Sequence, residues 1–268
     1  MKRITGSPII INGSAFDDDF RALVKAIDAW LTPEQRDVLI RRSTRLAYVK
    51  DDRPEARIYE ERVRALLESR ILRTEIGKAL LSALPRHIPI WIIRYNALIQ
   101  ENRGECNAVT GQMSSRLSDG VRILYSPETW FYTRCGHTPG YRSDEVLLHE
   151  MVHAVRFACF GFEGMNHEPL RDNDDHEEFL SVQMNNVYRS ETGGTIFKHH
   201  YTSDKLGTQA EVERTLSSPD LVQALEYFLS DPFVAAVAQI KTAFNPFRDV
   251  ARLKEQSYQR DLRQLRTW

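Results

Sequence analysis

Two histidines four residues apart, with a glutamate beside the first, form a trio able to do metal chemistry. His149, Glu150 and His153 stand in the order H-E-x-x-H within the stretch Ser143 to Cys159. On a helix, residues i and i+4 lie one above the other on a single face. Both imidazoles can then reach one zinc ion. Glu150 falls about 100° round the axis. From there it can act on a water at that zinc without being a ligand.

The surrounding residues suit a helix. Val146, Leu147, Val152, Ala154 and Val155 put apolar surface on more than one side, which predicts a largely buried helix. Asp144 and Glu145 favour its positive N-terminal end, and Ser143 is the expected N-cap. Gly161 follows the last apolar residues, where a helix would stop.

A catalytic zinc takes three protein ligands and keeps a fourth position open. The third ligand must come from downstream. Asp172 to Asp175 is a polar loop without EF-hand spacing and reads as solvated. His176 to Tyr188 has helical texture: Phe179, Val182 and Asn186 trace one buried side, and Leu180, Met184 and Val187 another. Glu178 is the first choice for the ligand, since the small Ser181 three residues on would let this helix approach the first closely. Glu177 is the runner-up and His176 a weaker alternative. Asn185, two turns beyond Glu178, could hydrogen-bond a ligand histidine or serve as a buried structural amide.

At 268 residues the chain could form one large domain or two small ones, and 42% hydrophobic residues suffice for a core. A net charge of −1 gives no basic field for nucleic acid. No apolar run of about 18 residues predicts a membrane span. The N-terminus carries no Sec-type signal pattern. Cys106, Cys135 and Cys159 are odd in number and lack C-x-x-C spacing, so buried free thiols in a reducing compartment are expected.

Along the chain, residues 1–14 read as irregular or weakly extended. Asp17 to Leu31 and the segment from Thr32 towards Asp51 read as helices, and Pro54 opens a third with Tyr59, Val63, Leu66, Leu67 and Ile71 inward. Thr74 to Leu81 is a short helix. Ile88 to Tyr95 and Gly120 to Tyr125 read as strands, with a turn-rich stretch from Asn107 to Asp119 between them. Val121 to Tyr125 is the candidate sheet edge for an extended peptide substrate. After Pro219 the chain is helical again, over Leu221 to Phe228, Phe233 to Phe244 and a charged tail from Arg248. This order predicts an α+β fold.

Several of these stretches resemble one family. Leu148 to Ala154, Glu177 to Ser181 and Asn186-Val187-Tyr188-Arg189-Ser190-Glu191 resemble the NleD-like zinc metallopeptidases, effectors delivered by bacterial secretion systems. Thr74 to Leu81 and Phe244 to Asp249 also look like parts of that group. The resemblance covers roughly residues 70–250. It implies a zincin-like α+β core with a small β-sheet over residues 66–268, preceded by a helical N-terminal extension over 1–65. It implies that His149, His153 and Glu178 bind zinc and that Glu150 is the general base. His200 or Tyr201 is the expected oxyanion donor, with His199 and Tyr188 behind them. The implied substrate is a protein in a host cell, with host kinases a family possibility. A monomer, exported without a Sec signal by the type III route with a secretion chaperone as a candidate partner, completes the expectation. The rivals are an antibacterial peptidase of the type VI class and a non-catalytic binder on a zincin scaffold.

Overall fold

Runs of β-branched residues at the start and middle of the chain pair into one twisted sheet. The structure, a computed structural model, describes residues 1–13, 54–94, 108–112, 117–127, 142–171, 173, 175–199 and 206–265. Five strands, β1 (Lys2–Arg3), β2 (Ile9–Asn12), β3 (Ile90–Arg94), β4 (Val109–Gln112) and β5 (Val121–Tyr125), lie in the order β1-β2-β3-β5-β4. β2, β3 and β5 run parallel, and β1 and β4 are antiparallel to their neighbours. Strand alternation sends Ile9, Ile11, Ile90, Ile92, Val121, Ile123 and Tyr125 into the main core.

Within residues 1–14, expected to be irregular or weakly extended, Lys2–Arg3 and Ile9–Asn12 are strands of the sheet. The boundary drawn at residue 65 falls inside helix α1 (Pro54–Ser69). The helices expected between Asp17 and Asp51 lie outside the described residues. β5 is also not the sheet edge it was expected to be. It pairs with β3 on one side and β4 on the other, so among the described residues β4 is the edge strand on that side of the sheet. β4 comes from the stretch read as turn-rich, where Gly and polar residues masked four residues of strand.

Helix α2 (Glu75–Ala83) is capped by Thr74, whose hydroxyl accepts from the Gly77 N–H. Then come α3 (Ser143–Phe160) and α4 (His176–Glu191), the hairpin β6 (Ile196–Lys198) and β7 (Leu206–Thr208), and α5 (Gln209–Leu216). The chain continues with α6 (Pro219–Phe228), α7 (Pro232–Val237) and α8 (Pro246–Leu265). The hairpin and α5 had no expectation attached. α7 is shorter than the expected Phe233 to Phe244 helix, because Asn245 turns the chain: its Nδ2 donates to the carbonyls of Val237 and Ile240. None of the described helices is long and apolar enough to cross a membrane.

α3 is buried along nearly its whole length, as its all-round apolar pattern predicts. Two tyrosines fix its start. Tyr59 of α1 donates to the Tyr125 carbonyl at 2.9 Å, and Tyr125 donates to the Ser143 carbonyl at 2.7 Å. The N-cap is Arg142 rather than Ser143, and its N–H donates back to Glu145 at 3.1 Å. Gly161 ends the helix with φ +66°, as expected for a glycine stop. Cys159 in its last turn is exposed rather than buried, while Cys106 and Cys135 lie outside the described residues.

Gly120 sets β5 in place. It has φ +112°, and a Cβ there would lie 2.4 Å from the Pro89 carbonyl oxygen. Gly120→Ala is expected to destabilise the protein by about 1–3 kcal/mol, read by urea denaturation, since backbone rather than a movable side chain is in the way.

Candidate metal centre

α3 and α4 lie side by side and antiparallel, and cross-links at both ends fix their register. At one end the Tyr188 hydroxyl donates to Asp144 at 2.9 Å, and Arg189 pairs closely with Glu145. At the other end Arg156 forks onto Glu177, at 2.9 Å from Nε and 2.8 Å from Nη2. Arg156 also reaches Asp231 at 2.6 Å. Between these ends the histidines of α3 meet Glu178.

The His149 and His153 Nε2 atoms are 3.0 Å apart. Glu178 Oε2 is 3.0 Å from the first, and Oε1 is 3.1 Å from the second. Four ligands set tetrahedrally at about 2.0–2.1 Å from one ion would be about 3.3 Å from each other, so these atoms are spaced to share an ion. Among the described residues, His149, His153 and Glu178 are the group that could hold one. Glu178 is 23% exposed, which leaves solvent a way to the cluster.

The alternatives for the third ligand are engaged elsewhere. Glu177 is bound to Arg156, and the His176 Nδ1 is 2.8 Å from the Glu168 carbonyl. Asn185 is buried, but its Oδ1 meets no donor and it bonds no ligand histidine. Ser181 takes that place, with Oγ 3.5 Å from His153 Nδ1. It was noted in the sequence only for its small size.

Glu150 is held by the edge strand β4. The Thr110 hydroxyl of β4 lies 2.7 Å from Glu150 Oε2 and 3.0 Å from the Glu150 carbonyl. Two expected oxyanion donors are committed to other partners. Tyr188 binds Asp144; burial, then that carboxylate, push its hydroxyl pKa far above the usual phenol range. His199 Nδ1 is 3.2 Å from the Thr215 hydroxyl, and its ring crowds Gly207. His200 and Tyr201 lie outside the described residues. Thr110 and Arg156 were missed: one sat in an apparent turn, and the other read as one more charge on a helix.

The stretch Asn186 to Glu191 is a latch. Asn186 exchanges two hydrogen bonds with the Lys198 backbone, Ser190 Oγ accepts from the Phe244 N–H, and Glu191 caps the first N–H groups of α2. Through it the end of α4 touches both the start of α2 and the turn before α8.

Without an ion, the cluster holds a proton. Burial disfavours a charged His153, but the adjacent Glu178 carboxylate outweighs it and raises the imidazole from 6.5 to about 9. Burial likewise opposes a charged Glu178, yet His153 and His149 hold its carboxyl far below the usual range. That proton stabilises the metal-free fold fully below pH 6.5, and the contribution is lost as pH rises through 9. A metal must displace it. Metal binding at pH 7.5 is therefore expected to release about one proton, measured by calorimetry in buffers of different ionisation enthalpy.

No protein-family model, curated protein or solved structure matches the chain.

Proposed function

We propose that this protein is a zinc metallopeptidase in which His149, His153 and Glu178 hold the metal and Glu150 is the general base. The observation that carries this reading is the convergence of three side chains from two antiparallel helices, with the two imidazole Nε2 atoms 3.0 Å apart and one Glu178 oxygen 3.0 or 3.1 Å from each. Two imidazoles and one carboxylate are a donor set that zinc favours over calcium or magnesium. Zinc, when bound there, supplies an acidified water and a Lewis-acid contact for a carbonyl oxygen.

The chain's own residues supply the rest. β4 is the outermost strand beside α3, so an extended peptide can add to it by main-chain hydrogen bonds. Thr110 on that strand holds Glu150. Glu150 takes a proton from the attacking water and returns it to the leaving amine. With Tyr188 and His199 engaged elsewhere, His200 and Tyr201 are the proposed oxyanion donors. The NleD-like resemblance adds an exported effector acting on a protein inside a host cell.

The test is cleavage of a proteome-derived peptide library, read by mass spectrometry of new termini. Cleavage that stops with 1,10-phenanthroline and returns with zinc supports the reading. Chelator-resistant cleavage, or none by the zinc-loaded protein, contradicts it. On any cleaved peptide, Thr110→Val should lower kcat by about 10- to 100-fold with little change in KM, and Thr110→Ser should restore most of it.

A further inference from the structure

Glu178 stands in the first turn of α4, the part of a helix most prone to fray. A ligand there needs anchoring, and two anchors are present. Asp175, the N-cap, accepts from the Glu178 N–H at 2.8 Å and is itself 2.7 Å from His167 Nδ1. The second anchor is the neighbouring residue. Glu177 is 1% exposed and receives both fork nitrogens of Arg156, plus the Asn166 N–H at 2.9 Å.

Arg156 lies one turn beyond His153 on α3, and Glu177 lies one residue before Glu178 on α4. The fork therefore joins the backbone that carries two ligands to the backbone that carries the third. A bidentate guanidinium–carboxylate pair fixes orientation as well as distance. The guanidinium is held from its other sides too. It bonds Asp231, and its carbon lies 4.5 Å from the Phe160 ring centroid and 5.3 Å from that of Phe228.

We infer that Arg156 and Glu177 are positioning residues that set the Glu178 carboxylate against His149 and His153, an inference that rests on the metal site proposed above. The pair touches neither metal nor substrate. It fixes where the first turn of α4 sits relative to the histidines. Asp231 shares the network but caps α7, where it accepts from the Phe233 N–H, and has no hold on α4. The two carboxylates around one guanidinium thus have separable roles.

The experiment compares full-length wild type, Glu177→Gln and Asp231→Asn. It measures zinc affinity by chelator competition, the visible spectrum of the cobalt-loaded protein, and melting temperature of the metal-free protein. Glu177→Gln should bind zinc about 10- to 100-fold more weakly and shift the cobalt bands. Asp231→Asn should lower the melting temperature yet keep wild-type affinity and spectrum. Wild-type affinity and spectrum in Glu177→Gln would overturn the inference. Equal loss of affinity in both variants, tracking lost stability, would overturn it too. If Glu177→Gln does not fold, Arg156→Lys keeps the charge without the fork and should also bind zinc more weakly; wild-type affinity there overturns the inference. A wild type that binds no zinc would instead remove the metal site itself, and the inference with it.

Discussion

Glu150→Gln is expected to keep its zinc and to lose peptide cleavage by about 10²–10⁴-fold in kcat. The carboxylate is not among the converging donor atoms; it turns to Thr110 on β4. Glutamine has the same shape and can still accept from the Thr110 hydroxyl, so the fold should be preserved. It cannot take a proton from water or hand one to the leaving amine. The zinc content, the melting temperature and the cleavage rate of the variant separate these effects. Cleavage at the wild-type rate would remove Glu150 from the mechanism while leaving the metal ligands in place.

The largest effect on stability is expected from Arg156→Met, at about 3–5 kcal/mol in urea denaturation of the metal-free protein. The guanidinium is 4% exposed and serves Glu177 and Asp231, which are 1% and 8% exposed. Removing it leaves two buried carboxylates facing each other without a cation. Their mutual repulsion and their desolvation then act together. Arg64, which pairs with Glu68 on the exposed side of α1, gives the contrast. Arg64→Met should change stability by less than about 1 kcal/mol, because water already solvates both partners.

Local pattern carried much of the site. The spacing of His149 and His153, the apolar residues around them and Gly161 predicted the length of α3 to within a residue, since burial on all sides and a glycine stop are written in adjacent positions. Glu178 was legible as a ligand candidate because the small Ser181 stands three residues on, where the helix must approach α3 closely. Pairings distant in sequence were not legible. Glu177 and Glu178 differ by one position, and the Arg156 fork on the one and the two histidines beside the other are what tell a structural carboxylate from a candidate ligand. The sheet edge was misplaced for a similar reason. β5 has the apolar composition of a strand, and that composition reflects burial between two neighbours. The outer strand β4 shows more solvent and fewer apolar residues, so Val109 to Gln112 resembled a turn. β2 was lost because its partner β3 lies some eighty residues away, and β1, two residues long, is a strand only through its pairing with β2.

Zinc content of the purified wild type beside His153→Ala tests the central claim most directly. On the proposed reading the two imidazoles and the Glu178 carboxylate share one ion, so the wild type should retain a single zinc per chain after dialysis. The variant, left with His149 and Glu178, should retain almost none. Equal zinc in the two proteins would contradict the account.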